Sequence, residues 1–374
     1  MADTVNMIEI EDMLRDIYRP QLQEELQQTH KSYEPFVTNV GGCTGERVEF
    51  NGVGKLKADY RTEAFERKGD GQQLKFSKRW LMPIAIKSLA MYTKDHFLRK
   101  GSFPVSAETF IKQMRNEFAR QYDLAVLGAK WSDELGYPVL PSITDPNPKS
   151  NYYNGGALNG LLNTNWTGES GTTPENFAIQ PMLATGELAT SWSDVTSIDN
   201  VDFEKTSVVP VNYKDSGTLD EATGCSVEKI LAALEMLETR MASTGDTMFN
   251  MAITPRQKYE LMRSPYLNDE AKHGFTAIKN GFVSELLQVR FLVTNMVPVV
   301  NVGGGKLARL CPVWKSEDLY VGMWDDFKMK AIDRTNDDFW DRYDISGEMS
   351  IGAARGRKET VMGVLCADSR LKSA

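Results

Sequence analysis

The chain has 374 residues, of which 41% are hydrophobic and 25% charged, and carries a formal net charge of -8. That surplus of acid argues against broad contact with DNA phosphates or an anionic membrane, which needs a surplus of Lys and Arg. The length predicts two or three packed units, and apolar runs of only a few residues exclude a membrane-spanning helix.

The N-terminus, MADTVNMIEIEDMLRD, is acidic and has neither the basic nor the apolar region of a signal peptide. From Ile8 to His30 a helix is predicted whose only strong anchors are Leu14, Ile17, Leu22 and Leu26. It is too polar to form a core by itself, so it reads as an arm that needs a body to lie on. Next, Gly41 to Phe76 alternates charged with apolar or aromatic residues between glycine clusters. This predicts a two-stranded ribbon with too little apolar surface to bury a face, and such a ribbon is barely stable alone in water. Its expected place is over another molecule.

The text turns apolar at Trp80. With Ser106 as N-cap, Ala107, Phe110, Ile111, Met114, Phe118, Tyr122, Ala125 and Val126 recur at three- and four-residue steps up to Gly128. This predicts a helix about 35 Å long, with Lys112, Arg115, Glu117 and Arg120 between the anchors. From Ser132 to Thr223 the composition shifts to Asn, Gly, Ser, Thr, Pro and Asp, which predicts loop-rich surface with a few short elements. A helix over CSVEKILAALEMLETRMASTG follows, then strand FNMAIT, helix PRQKYELMRS, helix TAIKNGFVSELL and strand VRFLVTNMVPVV. Beyond a turn at Gly303, Gly304 and Gly305 come the strand-like runs LARLCPVW, DLYVGMW, FKMKAID and ETVMGVLCA. The chain is therefore of α+β type.

Few residues suggest local chemistry. Cys43, Cys225, Cys311 and Cys366 are dispersed, with no CxxC pair and no His at zinc-finger spacing, and read as buried thiols. NVGGGKLARL lacks the Ser or Thr of a phosphate loop and reads as a hairpin turn. Asp325, Asp326, Asp333, Asp337, Asp338, Asp341 and Asp344 fit no EF-hand spacing and read as solvated loop. His30, His96 and His273 have no catalytic motif around them. The stretch MAITPRQKYELM leaves two readings open: Thr254 and Pro255 cap a helix, or Arg256 and Lys258 bind an anion at that helix start.

This order of parts resembles the major capsid proteins of tailed bacteriophages. SVEKILAALEMLETR, MAITPRQKYELMRSPYLN and IKNGFVSELLQVRFLVTNMVP are similar to the helix, strand-to-helix step and helix-to-strand passage of that family's axial domain. GAARGRKETVMGVLCA is similar to the closing strands of its peripheral domain.

The resemblance implies an N-terminal arm at 1–42, an extended loop at 43–78 and a peripheral domain at 79–225 and 303–374. The spine helix would be 106–128, the loop-rich insertion 132–223 and the axial domain 226–302. It implies a coat protein, not an enzyme, with no cofactor or metal, self-assembling as pentamers and hexamers into an icosahedral head shell of the virion. The expected partners are a separate scaffolding protein and a portal; no room is left here for a cleaved scaffolding segment. Genome DNA is enclosed but not specifically bound, no membrane is involved, and assembly takes place in the host cytoplasm. Arm and loop would reach over neighbouring subunits, which makes Lys55, Lys57, Arg61, Glu63, Glu66, Arg67 and Lys68 the candidate intersubunit contacts. The alternatives are an α+β enzyme binding an anionic substrate near Thr254 to Lys258, or another structural protein of the virion.

Overall fold

The computed structural model describes residues 30–53, 76–81, 83–93, 107–133, 135–140, 152–153, 156–157, 165–166, 175–176, 181–189, 191–195, 198–214, 217–218, 223–241, 248–264, 285–286, 288–303, 306–333, 342–357, 359–368 and 371. Before the loop-rich stretch lie β1 (Thr38–Val40), β2 (Val48–Val53), β3 (Phe76–Leu81), β4 (Ile84–Thr93), α1 (Ala107–Leu127), β5 (Lys130–Ser132) and β6 (Tyr137–Val139). After it come β7 (Val208–Val209), α2 (Val227–Met241), β8 (Phe249–Ile253), α3 (Pro255–Met262), β9 (Glu285–Leu286), β10 (Val289–Val293), β11 (Val299–Asn301), β12 (Leu307–Trp314), β13 (Leu319–Asp333), β14 (Arg342–Arg355) and β15 (Val361–Ala367). In the described parts of the stretch between β6 and β7 the elements are two-residue strand pairs and short 3-10 turns, as its composition predicts.

Helix α1 buries Met114, Phe118, Tyr122 and Ala125 from the expected stripe and leaves Lys112 and Arg115 in solvent. It stops at Gly128, whose φ of 72° a side-chain-bearing residue adopts at a cost; the Ala129 N–H closes the end on the Leu124 carbonyl at 3.1 Å.

One sheet has the order β1-β13-β14-β4, with β1 parallel to β13 and the other pairs antiparallel. The larger, nine-stranded sheet runs β9-β10-β8-β12-β11-β6-β5, and β15 lies along β12 with β7 beyond it. Strand β8 is buried along its whole length, as a parallel partner of β10 beneath a crossover must be. A single core joins the two sheets, running from Phe118 and Tyr122 through Leu237, Phe249 and Trp314 to Ile351 and Leu365.

Three expectations are corrected. DLYVGMW and FKMKAID form one strand, β13, with register irregularities between Met323 and Lys328 where the acidic residues fall. Asp325, Asp326, Asp333 and Asp344 therefore sit in strands and not in a solvated loop, because backbone pairing with β14 outweighs the weak strand propensity of Asp. Asp337, Asp338 and Asp341 lie outside the described residues. The expected helix TAIKNGFVSELL also lies outside them except for Glu285 and Leu286, which pair as β9 with β10. VRFLVTNMVPVV is two strands, since the chain turns at Thr294 to Met296, where the Met296 N–H donates to Thr294 Oγ1 at 3.1 Å.

Helix α1 reaches the small sheet at Gly347 of β14. A Cβ there would meet Met114 Sδ at 2.7 Å and Phe118 Cε2 at 2.8 Å, and Phe118 packs on Phe327 with ring centroids 4.8 Å apart. Gly347→Val is expected to cost about 1–3 kcal/mol through this overpacking, read as a lower urea midpoint.

Candidate functional site

The two segments that the sequence leaves unsatisfied, arm and ribbon, both have their roots in the described part of the chain. Residues 31–40 are built into the body. Tyr33 is fully buried and tilts against Trp314 with centroids 5.8 Å apart. The fully buried carboxylate of Asp123 on α1 accepts from the Ser32 and Tyr33 N–H groups at 3.0 and 3.2 Å. The Tyr33 hydroxyl donates to the Met296 carbonyl at 2.9 Å, and Trp314 Nε1 donates to the Phe36 carbonyl at 3.0 Å. Burial first, and then the negative charge of Asp123, push the Tyr33 phenol well up, so it remains a neutral donor. Lys31 stands 4.8 Å over the Tyr122 ring. Residues 31–33 are thus clasped onto α1.

The ribbon root is the pair β2–β3, in register from Val48 opposite Leu81 to Val53 opposite Phe76; among the described residues these two strands pair only with each other. Its inner end is fixed by Leu81, which packs with Ala354, Val48 and Trp324. Gly322 on β13 makes room for this: a Cβ there would strike Leu81 and, at 2.7 Å, Cys43 Sγ. Trp324 Nε1 adds a bond to the Gly45 carbonyl at 2.8 Å. Lys55, Lys57, Arg61, Glu63, Glu66, Arg67 and Lys68 all lie outside the described residues, between these two strands in the chain.

Beside the roots a groove runs between α1 and β4, lined by Ile84, Ile86, Glu117, Gln121, Leu124 and Trp131. Arg120 closes one side, 4.6 Å over the Trp131 ring and paired with Glu117 at 2.5 Å. Sequence reasoning did not find this groove, because its two walls are separated by a segment of no telling composition.

The helix start at Thr254 has the geometry of a cap. Gln257 N–H donates to Thr254 Oγ1 at 3.4 Å, and Gln257 Oε1 accepts the Thr254 N–H at 2.7 Å, a reciprocal capping box. Arg256 pairs with Glu260 at 2.9 Å and with Asp368 at 3.2 Å, and the bond to Glu260 raises its pKa further. The mouth of α3 is therefore occupied by the protein's own side chains. NVGGGKLARL is a hairpin: β11 and β12 pair antiparallel, and Gly303 at φ 95° opens the turn, with the Lys306 N–H on its carbonyl at 3.0 Å. All four cysteines are free and buried. Among the described residues no group of His, Cys, Asp and Glu could hold a metal, and no helix is long and apolar enough to cross a membrane. His96 and His273 lie outside the described residues.

The phage capsid protein family matches residues 178–368. No curated protein matches the chain. Among solved structures, the capsid of Cyanophage P-SCSP1u has the same fold, with a TM-score of 0.57 and 12% identity over 96% of this chain and 95% of that one. The Cyanophage Pam1 capsid has a TM-score of 0.57 and 11% identity over 94% and 96% of the two chains. The capsid of Ralstonia phage GP4 has a TM-score of 0.55 and 10% identity over 95% and 96%.

Two outcomes test the local geometry. Asp123→Ala leaves two buried N–H groups without an acceptor and is expected to cost on the order of 3 kcal/mol, with faster tryptic cleavage at Lys31 as the direct sign of an open clasp. Thr254→Ala is expected to lower stability by about 1 kcal/mol in chemical denaturation, the usual loss for a cap.

Proposed function

The chain belongs to the phage capsid protein family and is a major capsid protein that associates with itself into an icosahedral shell, a structural part of the virion; we propose that the arm and the ribbon carry that association. The observation behind this is the pair of roots. Tyr33 is fastened to α1 and Leu81 is seated against β13, and by its sequence neither arm nor ribbon has the apolar surface to fold by itself.

In this reading the extended loop is 43–78 and its charged residues Lys55, Lys57, Arg61, Glu63, Glu66, Arg67 and Lys68 pair with opposite charges on neighbouring copies. Such pairs set register and partner choice more than affinity. The α1–β4 groove, with its apolar floor and its Glu117 and Arg120 rim, is a surface against which a neighbour can lie. Each contact needs only a few kcal/mol, since a closed shell multiplies weak interfaces. The arm is 1–42, the peripheral domain 79–225 and 303–374, and the axial domain, which gathers pentamers and hexamers around their axes, 226–302.

A separate scaffolding protein and a portal are the expected partners during assembly in the host cytoplasm. The net charge of -8 suits a container that encloses genome DNA without gripping it. Arg256 and Lys258 serve the fold of the axial unit in this reading, Arg256 through its ion pairs with Glu260 and Asp368.

Sedimentation velocity and negative-stain images of the chain, alone and with a scaffolding protein, test the proposal. Shells are expected from the native chain, and replacement of Lys55, Lys57 and Arg61 by Glu is expected to leave small species with an unchanged thermal midpoint. Shells of normal yield from that variant would remove the loop from the assembly contacts.

A further inference from the structure

Three of the four cysteines, far apart in the sequence, meet in the core. Strands β12 and β15 pair with Cys311 opposite Val364 and Cys366 opposite Arg309. The two thiols are therefore diagonal neighbours on one face of an antiparallel pair. Cys225 arrives from the turn that leads into α2. That turn is stitched to β15, since the Ala367 N–H donates to the Thr223 carbonyl at 2.9 Å, and Cys225 N–H itself donates to Glu260 Oε2 at 3.1 Å.

A cation stands at the same place. Lys229 in the first turn of α2 is fully buried, and its Nζ donates to the carbonyls of Val211 at 2.7 Å, Thr223 at 2.8 Å and Leu365 at 2.8 Å. These bonds fix the ammonium beside the residue preceding Cys366 and two residues from Cys225. The Cys225 and Cys311 thiols both lie beside the Cys366 thiol, so that the three can share hydrogen bonds. Those bonds, with the Lys229 charge, hold the Cys366 thiol well below its ordinary range. Cys225 is pushed up by its bond with Cys366 and by burial, Cys311 by burial and then by its bond. The arrangement is not that of metal ligands.

We propose that Cys366 and Cys225 are an oxidation site, at which a peroxide-class oxidant makes an intrachain disulfide that ties the leading turn of α2 to β15. The Cys366 thiolate attacks one peroxide oxygen and becomes a sulfenic acid, and the other oxygen leaves as hydroxide. The Cys225 sulfur then attacks the Cys366 sulfur and displaces the sulfenic hydroxyl. With the two thiol protons, the two oxygens leave as water: two thiols and one hydrogen peroxide give one disulfide and two waters.

Cys311 is not the second partner. Diagonal neighbours across an antiparallel pair have Cα atoms about 7–8 Å apart, beyond the reach of a disulfide, and hydrogen bonds of the ladder hold both strands in place. Cys225 is in a turn, at the margin of the cluster with 6% of its surface exposed, and can close the distance. The Cys225 edge is the side of the cluster nearest solvent, since Cys311 and Cys366 are fully buried. A coat subunit folds in a reducing cell and then leaves it, so a link of this kind forms after the shell is complete and stiffens it.

The test uses the folded full chain or the shell, treated with hydrogen peroxide in the absence of reductant. The expected result is loss of two of the four thiols, a non-reduced peptide pair joining Cys225 to Cys366 in mass spectrometry, and a higher thermal midpoint that dithiothreitol reverses. Cys311→Ser should keep the link and Cys225→Ser should lose it. The proposal is overturned if all four thiols survive a peroxide dose that oxidises the unfolded chain. It is equally overturned if native Cys366 becomes a sulfinic acid without a link, or links to Cys311.

Discussion

The pairing of β13 with β14 is the constraint on which the other parts depend. It runs from Leu319 opposite Arg355 to Asp333 opposite Tyr343, and each strand carries another partner on its outer edge, β1 on β13 and β4 on β14. One end of this ladder is sunk in the core through Leu319, Val321, Ile351 and Ala353. Further along, the ladder offers two positions without side chains. Gly322 admits Leu81 from β3, and Gly347 admits Met114 and Phe118 from α1. A slip of one residue in this register would turn the glycine of the slipped strand to the wrong face and expel the element it admits.

Where the chain attaches segments rather than packing them, it uses buried polar groups. Asp123 holds Tyr33; Asn250 Nδ2 donates to Ser316 Oγ at 2.6 Å; Thr38 Oγ1 donates to the Ser316 carbonyl at 2.9 Å. Each such bond adds little net stability, yet leaving one of its members unpaired costs more than the bond gains. Their effect is therefore on position: they fix Tyr33 and Thr38 against the body of the chain. For a protein that associates with copies of itself, fixed positions of such segments matter more than an extra kcal/mol of core.

Much of this was legible in the sequence because burial writes periodic patterns. Helix α1 was readable from Met114, Phe118, Tyr122 and Ala125, and strand β8 from its short apolar run. The cap at Thr254 followed from the Thr-Pro step, and the structure resolves its ambiguity by placing Gln257 and Glu260 where an anion would have had to sit. Strand β14 went unread although Tyr343, Ile345, Met349, Ile351 and Ala353 alternate, because Gly347 breaks the alternation at the point where α1 crosses. The acidic part of β13 went unread for a related reason: the irregular register near Asp325 lets charged side chains turn outward within a strand, which a propensity argument takes for loop.

Sites made by register are hidden in a different way. Cys225, Cys311 and Cys366 gave no motif, because the distance that unites the last two is set by the pairing of β12 with β15, and the first joins them only through the turn fastened at Thr223. The α1–β4 groove is of the same kind, with Glu117 and Gln121 on a helix and Ile86 on a strand that meet only through β14. A shell protein has little need of a local motif, since a contact repeated around a closed surface can be weak and spread over many residues. What such a function leaves in the sequence is therefore segments too polar to form a core by themselves, and the sequence of the arm and of the ribbon has that character.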